Sequence, residues 1–265
     1  MSSYLILLPP SEMKIPGGKE ELPYRMVKNL SSKNTFQSLE SSREYLYARL
    51  REALVESPTA ELEKAFGVKG KRLHEVVDLM ADIFNQPTCP ASLRYAGVMY
   101  DAIDYSSLSQ KQRERFDARV YMVDGLFGLL KATDYIPEYK LKIDSRFLGI
   151  KVDKFWREAL VQVFDELIRD KVVVDLLPEA HRSVLSFQRA KQVYRLQFAE
   201  YRQGTVKASG HASKQLKGEL MRYILEHDSL DFSHLQQFTH SKGYAYADYL
   251  TTTTEKVTSI TYLKE

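Results

Sequence analysis

The sequence predicts a mixed α and β fold (α/β mixed, α+β) built as one large domain. Three observations predict it. Apolar residues recur at helical spacing within charged segments such as 41–56, short apolar runs such as 5–8 and 172–176 have the length of buried strands, and the two patterns interleave along the chain. The 265 residues are 44% hydrophobic and 28% charged, as in ordinary globular proteins. Because no repeat, low-complexity tract or Gly/Ser linker marks a boundary, we expect 1–265 to be a single domain.

The first element is a short strand, 5–8, which ends at two prolines that have no N–H to give to a sheet. The apolar run is too short for a secretory leader or a membrane span. We therefore expect this start to belong to the folded protein, the protein to be cytoplasmic, and no membrane to be involved. Ser11, Glu12 and Lys14 then project from a stiff loop, where Ser11 could donate to an oxyanion and Lys14 could hold a phosphate or carboxylate. A solvated turn is the alternative.

Helical patterns follow over 41–56, which stops before Pro58, over 59–66, and again from residue 71 to about residue 84. The last two enclose a tight glycine turn, so a helix-hairpin-helix element is predicted at about 59–84. Glycines allow a backbone that brings amides and cations against a phosphate, and such a contact reads the shape and charge of DNA. An ordinary solvated turn is the alternative. The predicted DNA-binding residues are Gly67, Lys69, Gly70, Lys71 and Arg72.

The middle of the chain predicts a polar helix over 109–116 and then a buried strand from residue 120. We expect this strand to end at Asp124 and to pass through a glycine turn into a short helix. Tyr139 and Lys140 follow in a segment rich in phenols and ammonium groups. They could bind an anion or assist proton transfer if the fold brings Asp124 close.

The C-terminal part alternates helical and strand patterns. Residues 153–169 have the clearest apolar stripe of the sequence, and the β-branched run that follows predicts an inner strand. The predicted elements are helices at 153–169, 213–226 and 233–238, and strands at 172–176, 192–198 and 256–263.

The charge of the chain is unevenly distributed. A net charge of +3 favours no class of partner by itself, but between Arg182 and Gly218 the only acid is Glu200. A solvated face is the common meaning of such a segment, and a surface for a polyanion is the alternative. Its basic residues are Arg182, Arg189, Lys191, Arg195, Arg202, Lys207, Lys214 and Lys217.

The sequence argues against several classes of functional site. Cys89 is the only cysteine, which excludes an internal disulfide or a multi-thiolate site within one chain. The histidines, His211, His227, His234 and His240 among them, lack metal-binding spacing, so we expect no metal and no cofactor. No Walker loop, GxGxxG fingerprint or GxSxG elbow is present either.

With these residues in view, the chain resembles the YaaA peroxide-stress family of bacteria, almost from end to end. The segments that carry the resemblance are spread over the whole sequence. They are Leu7–Lys14 (LLPPSEMK), Tyr95–Tyr100 (YAGVMY), Asp124–Leu130 (DGLFGLL), Tyr139–Leu141 (YKL), Phe155–Trp156, Lys217–Gly218 and Gly243–Tyr244.

The resemblance implies a single compact YaaA-like fold and binding of duplex or distorted DNA through the helix-hairpin-helix element, whose position 67–72 matches. It also implies protection against hydrogen peroxide through limitation of free iron. The chain departs from the family pattern Tyr-Arg-Leu-Glu, since it has Lys140 and Lys142 in the second and fourth positions, and Lys217 stands where arginine is usual. An ammonium lacks the planar fork of arginine, so bidentate recognition of an anion is lost at Lys140 and Lys217, while Lys142 reverses the acidic charge of the pattern.

Three functions compete. The first is a cytoplasmic DNA-binding stress protein that limits free intracellular iron and oxidative DNA damage. The second is an enzyme of unknown reaction acting on a small anionic or nucleotide-like substrate. Its predicted pocket comprises Ser11, Lys14, Tyr100, Asp124, Tyr139, Lys140 and Lys217. The third is a scaffold whose 17 tyrosines serve packing.

Overall fold

A computed structural model describes residues 4–210 and 212–265. Strands and helices alternate along the chain. The strands are β1 (Tyr4–Leu8), β2 (Lys19–Pro23), β3 (Pro87–Pro90), β4 (Val120–Asp124), β5 (Gly128–Lys131), β6 (Tyr135–Ile136), β7 (Arg146–Phe147), β8 (Ile150–Lys151), β9 (Val172–Asp175), β10 (Gln192–Arg202), β11 (Thr205–Ala208), β12 (Tyr244–Tyr246), β13 (Thr252–Thr253) and β14 (Val257–Lys264).

The helices range from single turns to a long amphipathic segment near the N-terminus. They are α1 (Tyr24–Val27), α2 (Glu40–Glu56), α3 (Thr59–Phe66), α4 (Lys71–Ala81), α5 (Ala91–Arg94), α6 (Val98–Ile103), α7 (Gln110–Arg119), α8 (Val152–Ala159), α9 (Val161–Ile168), α10 (Glu179–Arg182), α11 (Ala212–Ile224) and α12 (Phe232–Gln237). Among the described residues, no helix is both long enough and apolar enough to cross a membrane.

A central sheet in the order β12-β14-β10-β9-β1-β4-β5 organises the molecule. The five strands from β14 to β4 run parallel, and β12 and β5 pair antiparallel at its two ends. All residues of β1 are buried, as expected of a strand covered on both faces. The mixed α and β class is therefore confirmed, and the sheet is parallel because helices cross over between its strands.

The order in which the chain adds strands to the sheet reverses beside β1. From β1 the chain passes to β4 on one side, and then crosses to β9, β10 and β14 on the other. Parallel strands place their carboxyl ends at one edge, so the ends of β1, β4 and β9 meet there. In open parallel sheets such a switch point opens the crevice in which ligands bind.

Most predicted strands and helices are confirmed, but the segment after Asp124 is not helical. The chain turns back as β5, which pairs antiparallel with β4 so that Asp124 lies opposite Gly128. Gly128 has φ +70°, and a Cβ there would lie 2.5 Å from ring atoms of Trp156. The tight reversal and the packed indole together exclude the predicted helix. The helix predicted over 153–169 is also divided, into α8 and α9 on either side of Leu160.

The region 59–84 contains the two predicted helices and their turn. Helix α3 ends at Gly67 with φ +66°, and α4 begins after Gly70 with φ +55°. The conformation of both glycines explains why the turn is so short. A helical hairpin is thus present, whereas its use as a DNA-binding helix-hairpin-helix element stays a prediction.

Helix α11 approaches α6 closely through Gly218. A Cβ at this position would lie 2.5 Å from the backbone oxygen of Met99 and 2.7 Å from Cβ of Ala102. Because the first of these atoms belongs to backbone, the helices would have to move apart to accept a side chain. The close packing of α11 on α6 therefore requires glycine here.

We expect Gly218→Ala to lower the free energy of unfolding by about 1–3 kcal/mol, since overpacking outweighs the better helix propensity of alanine. Denaturant unfolding followed by circular dichroism measures this change. The matched control is Gly210→Ala, where, its chain neighbours aside, no atom of the described residues lies within 4 Å of the added Cβ. Equal unfolding midpoints for the two variants would contradict the packing described for Gly218.

Candidate functional site

A cavity of about 540 Å³ lies at the carboxyl edge of the sheet, beside the switch point. Its walls come from the loop after β1, the start of α6, the end of β4, the segment that precedes β7, and α10. The lining residues are Pro9, Pro10, Ser11, Glu12, Met13, Lys14, Gly97, Val98, Met99, Tyr100, Asp124, Lys140, Leu141, Lys142, Ile143, Asp144, Pro178, Ala180, His181 and Lys214.

The carboxylate of Asp124 is fully buried at the base of this cavity, and both of its oxygens accept hydrogen bonds. Oδ1 accepts from the backbone N–H groups of Leu126 and Phe127 at 2.7 and 2.9 Å. Oδ2 accepts from the hydroxyls of Tyr95, at 3.2 Å, and of Tyr139. The two phenol oxygens lie 2.9 Å apart. We call these three side chains the carboxylate–phenol cluster.

Burial, and next the nearby charge of Asp124, raise the pKa of Tyr95 and of Tyr139 well above the ordinary value. Both phenols therefore stay protonated at neutral pH and can donate. The third buried phenol, Tyr100, also has a raised pKa from burial and donates to the Pro9 carbonyl at 2.8 Å. It thus fixes the end of β1 against α6.

Lys14 lies directly above the carboxylate–phenol cluster. Its ammonium donates to the Ser11 carbonyl at 2.9 Å and sits 4.0 Å from the centre of the Tyr139 ring. The side chain is half-buried. Burial lowers the pKa of Lys14 to about 8, and Lys140 adds to this, although the charge of Asp124 acts in the opposite direction.

Arg94 holds the loop that carries Lys14. This arginine is completely buried, and its guanidinium donates to the backbone carbonyls of Ile15, Gly17, Pro87 and Ile136. The backbone of Arg94 also accepts from Ile15 N at 2.9 Å. Sequence reasoning missed Arg94, since no local motif distinguishes an arginine that binds carbonyls far away in sequence.

At the rim of the cavity, Glu12 bridges two lysines. Its Oε2 lies 3.1 Å from Nζ of Lys140, and its Oε1 lies 3.2 Å from Nζ of Lys142. Burial raises the pKa of Glu12, but the hydrogen bonds and charges of the two lysines outweigh it and the pKa is lowered. The Glu12 carboxylate is 63% exposed, so an anion from solvent can replace it.

Not every predicted pocket residue lines the cavity. Ser11, Lys14, Tyr100, Asp124 and Lys140 do, and Tyr139 lies beneath them in the carboxylate–phenol cluster.

Lys217 does not line the cavity. Its ammonium donates to the Leu176 carbonyl at 2.8 Å, just beyond β9. Burial lowers its pKa to about 8, opposed by Asp175. Lys214, three residues earlier on α11, lines the cavity instead.

Sequence reasoning also missed His181, which lies on the short helix α10 and lines the cavity. Its Nδ1 is buried and has no hydrogen-bond partner among the described residues. Burial lowers the pKa of His181 despite the opposing charge of Asp124, so the imidazole is neutral at neutral pH. A lone histidine in a four-residue helix has no sequence signal.

The basic segment 182–218 does not form one continuous cationic surface. Arg182 and Arg195 both bind the buried carboxylate of Asp175, at 2.5 and 3.3 Å. Arg202 pairs with Glu200. Arg182 and Arg195 thus hold α10 and β10 to the end of β9, whereas Arg202 and lysines such as Lys207 and Lys214 are exposed.

The glycine turn between α3 and α4 borders the rim of the cavity. A Cβ on Gly67 would lie 3.0 Å from Nζ of Lys142, one of the two lysines that Glu12 bridges. Lys69, Lys71 and Arg72 are exposed, and Arg72 pairs with Glu75 at 2.8 Å.

The described residues contain no group of three or more His, Cys, Asp or Glu side chains placed to hold a metal ion. His211 lies outside these residues. Cys89 is a half-buried free thiol whose pKa is raised by burial, so it is not an activated thiolate.

Comparison with known proteins identifies the family. The family model of peroxide stress protein YaaA matches residues 4–250. The chain belongs to the YaaA peroxide stress family. A UPF0246 protein of Corynebacterium glutamicum is 30% identical over 226 residues, which are 83% of this chain and 84% of that protein. One from Streptomyces coelicolor is 27% identical over 224 residues, 83% of this chain and 82% of the other.

Membership of the YaaA family is consistent with a role in peroxide stress. The segments that carry the resemblance to the family supply much of the site. Leu7–Lys14 forms the end of β1 and the Lys14 loop, Tyr95–Tyr100 supplies two of the phenols, and Asp124–Leu130 supplies the carboxylate and its turn. In this YaaA protein the recognisable sequence is thus largely the sequence around one cavity.

We expect Lys14 to titrate well below an ordinary lysine. In pulse acylation with an amine-reactive ester between pH 6 and 11, read by peptide mass spectrometry, modification of Lys14 should reach half its own plateau near pH 8. Normalising to the plateau removes the effect of accessibility. A midpoint at pH 10 or above would contradict the environment described for its ammonium.

Proposed function

We propose that this protein is a cytoplasmic, DNA-binding member of the peroxide stress response that limits free intracellular iron and oxidative DNA damage. The observation that carries the DNA part is the position of the glycine turn of the hairpin. Its Gly67 abuts Lys142 at the cavity rim, and the exposed cations of the turn follow within five residues of this contact. Phosphates of a DNA backbone are the ligand that such a surface fits.

The start of α4 adds to the cationic surface. No side chain caps this helix, and Gly70 precedes its first residue. Uncapped amides at the first turn of an eleven-residue helix, with the positive end of its dipole, favour an anion there. Lys71 and Arg72 supply full charges at the same place. Such contacts fix the backbone of DNA and carry no sequence information.

Family membership supports the peroxide stress part of the proposal, and limitation of free iron is what the resemblance implies. The direct test compares cells that lack the protein with cells that express it again, after a peroxide challenge, and measures chelatable iron by electron paramagnetic resonance. Higher chelatable iron in the lacking cells, restored by the protein, would support this part, and equal levels would overturn it.

A second candidate function is an enzyme acting on a small anionic or nucleotide-like substrate. The observation that favours it is the carboxylate–phenol cluster beneath Lys14, in a cavity at the switch point of the sheet. A pure DNA binder has no need of buried titratable groups in a cavity, whereas catalysis uses groups whose pKa values are shifted. The two functions are compatible if the substrate is part of DNA.

The hairpin prediction is tested with a Lys69/Lys71/Arg72 triple-alanine variant. We expect weaker binding to plain and bubble-containing duplexes of any sequence, and a salt dependence flatter by about one logarithmic unit per cation removed. Fluorescence anisotropy across a salt series measures both. Binding unchanged in this variant would remove the hairpin from the DNA-binding surface.

The matched control is Lys151/Lys154/Arg157 to alanine. It removes the same charge from exposed residues at and within another helix, α8. The proposal requires this control to bind DNA more tightly than the hairpin variant does. Equal losses in both would show that only the total charge matters.

The ion pairs at the cavity rim predict that Glu12 competes with bound anions. In Glu12→Gln, Lys140 and Lys142 lose their internal partner, so deoxyadenosine monophosphate should bind up to about fivefold more tightly, the scale of an exposed ion pair. Isothermal titration calorimetry measures this. Glu56→Gln is the control with the same change of charge at an exposed position. Identical affinities in the two variants would show that the rim lysines do not receive the phosphate.

A further inference from the structure

We propose that Lys14 is a nucleophile that forms an imine with a phosphate-bearing aldehyde in the cavity. This chemistry has two sources, the ring-opened deoxyribose of an abasic site in DNA and a free aldehyde sugar phosphate. The first source rests on the proposed DNA-binding function, and the second does not. Neither requires a metal or a redox cofactor.

The position of Lys14 suits a nucleophilic amine. Its Nζ lies in the cavity wall above the Tyr139 ring, and its one hydrogen-bond acceptor among the described residues is a neutral carbonyl, that of Ser11. No carboxylate lies within ion-pair distance of it among those residues, unlike the rim lysines. An amine must lose its proton before it attacks a carbonyl carbon.

Burial of Lys14 helps to meet this requirement. With a pKa of about 8, roughly a tenth of the side chain is neutral at pH 7, whereas an ordinary lysine is about a thousandth neutral or less. The cavity thus holds an amine with a usable neutral fraction.

Groups for the proton transfers line the same cavity or lie beneath it. Asp124 lines the cavity and is linked to the protonated phenols of Tyr95 and Tyr139, so the carboxylate–phenol cluster can relay a proton as a hydroxyl leaves the carbinolamine. His181 lines the cavity and is neutral, and because its Nδ1 is buried, the ring nitrogen left to act on a substrate is Nε2. It can accept a proton from the carbon next to the imine.

The lysines at the mouth of the cavity can bind the phosphate. Lys140, Lys142 and Lys214 all contribute to the lining, and Glu12, the carboxylate that holds the first two, is largely exposed. A phosphate can therefore take its place beside the two ammonium groups, which leaves the aldehyde end of the molecule to reach Lys14.

The proposed reaction balances without an oxidant or a reductant. The lone pair of Lys14 attacks the aldehyde carbon, and water leaves to give a protonated imine. In abasic DNA, His181 then removes a proton from the neighbouring carbon, the electrons of that bond form a carbon–carbon double bond, and the carbon–oxygen bond one carbon further along breaks with its electron pair on the departing phosphate. The free 2-deoxyribose 5-phosphate carries a hydroxyl and no phosphate at that carbon, so its reaction stops at the imine. Hydrolysis of the imine returns the lysine. In DNA this sequence cleaves the strand on the 3′ side of the abasic site.

The test traps the imine in the full-length protein with sodium borohydride, which reduces it to a stable amine. One arm uses a fluorescent duplex with a single abasic site, and the other uses 2-deoxyribose 5-phosphate. Peptide mass spectrometry of the wild-type protein should place the adduct on Lys14. Lys14→Arg keeps the charge but cannot form the imine, so trapping should fall at least tenfold. Lys111→Arg, on the exposed side of α7, is the control that should trap normally.

The two arms identify the source. An adduct on Lys14 with the duplex supports the abasic site, and one with the sugar phosphate alone supports a free substrate. His181→Gln should retain trapping yet lose strand cleavage, which a merely structural histidine would not do. Adducts spread over many lysines, or trapping equal in Lys14→Arg, would overturn the inference.

The failure of each proposal can be told apart. Anisotropy on the same abasic duplex measures DNA binding without chemistry. Binding without any adduct in either arm overturns the role of Lys14 and leaves the proposed function standing. No binding overturns the proposed function, and the sugar phosphate arm still decides whether Lys14 forms an imine. Because the adduct is mapped in the wild-type protein, the result does not depend on the stability of a variant.

Discussion

The buried carboxylate of Asp124 is the interaction on which the site depends. Removing a hydrogen-bond partner from a buried polar group typically costs about 1–3 kcal/mol, and more when the group is charged, so the donors around it must stay in place. They come from three parts of the chain: the turn after β4, Tyr95 after α5, and Tyr139 before β7. Satisfying one side chain therefore fixes the segments that form the floor of the cavity and places Lys14 above it.

Buried arginines complete this arrangement from the other side. Arg94 binds four backbone carbonyls and holds the loop that follows β1, while Arg43 donates to the carbonyls of Phe127 and Leu129, in the turn and strand that follow Asp124. A planar guanidinium with five donors suits several carbonyls at once, which an ammonium does not. The two guanidinium groups thus fix irregular backbone segments beside the parallel sheet, and these segments adjoin the cavity.

Local pattern was enough to predict β1 and β9 and to place Ser11, Lys14 and Asp124 after or at strand ends, and the ends of parallel strands meet at one edge. The approach of Tyr100, Tyr139 and Lys140 to the same cavity depends on the tertiary fold, since none of them lies at the end of a parallel strand. Local pattern did not predict the features that residues distant in sequence determine. The segment after Asp124 suits either helix or strand, and the Trp156 indole determines which. Arg182 and Arg195 belong to a basic segment of the sequence, but in the structure both bind the carboxylate of Asp175. Lys217, Arg94 and His181 likewise depend on contacts that sequence spacing does not encode.

The central claim is that the hairpin turn and the cavity rim form one surface for phosphate-bearing DNA. Hydrogen exchange of backbone amides, measured by mass spectrometry with and without saturating duplex, tests it most directly. The account predicts slower exchange in both 67–73 and 139–144 when DNA is bound, with β10 and α12 unaffected. Slower exchange in only one of these segments, or in neither at saturation, would contradict the claim that they act as one surface.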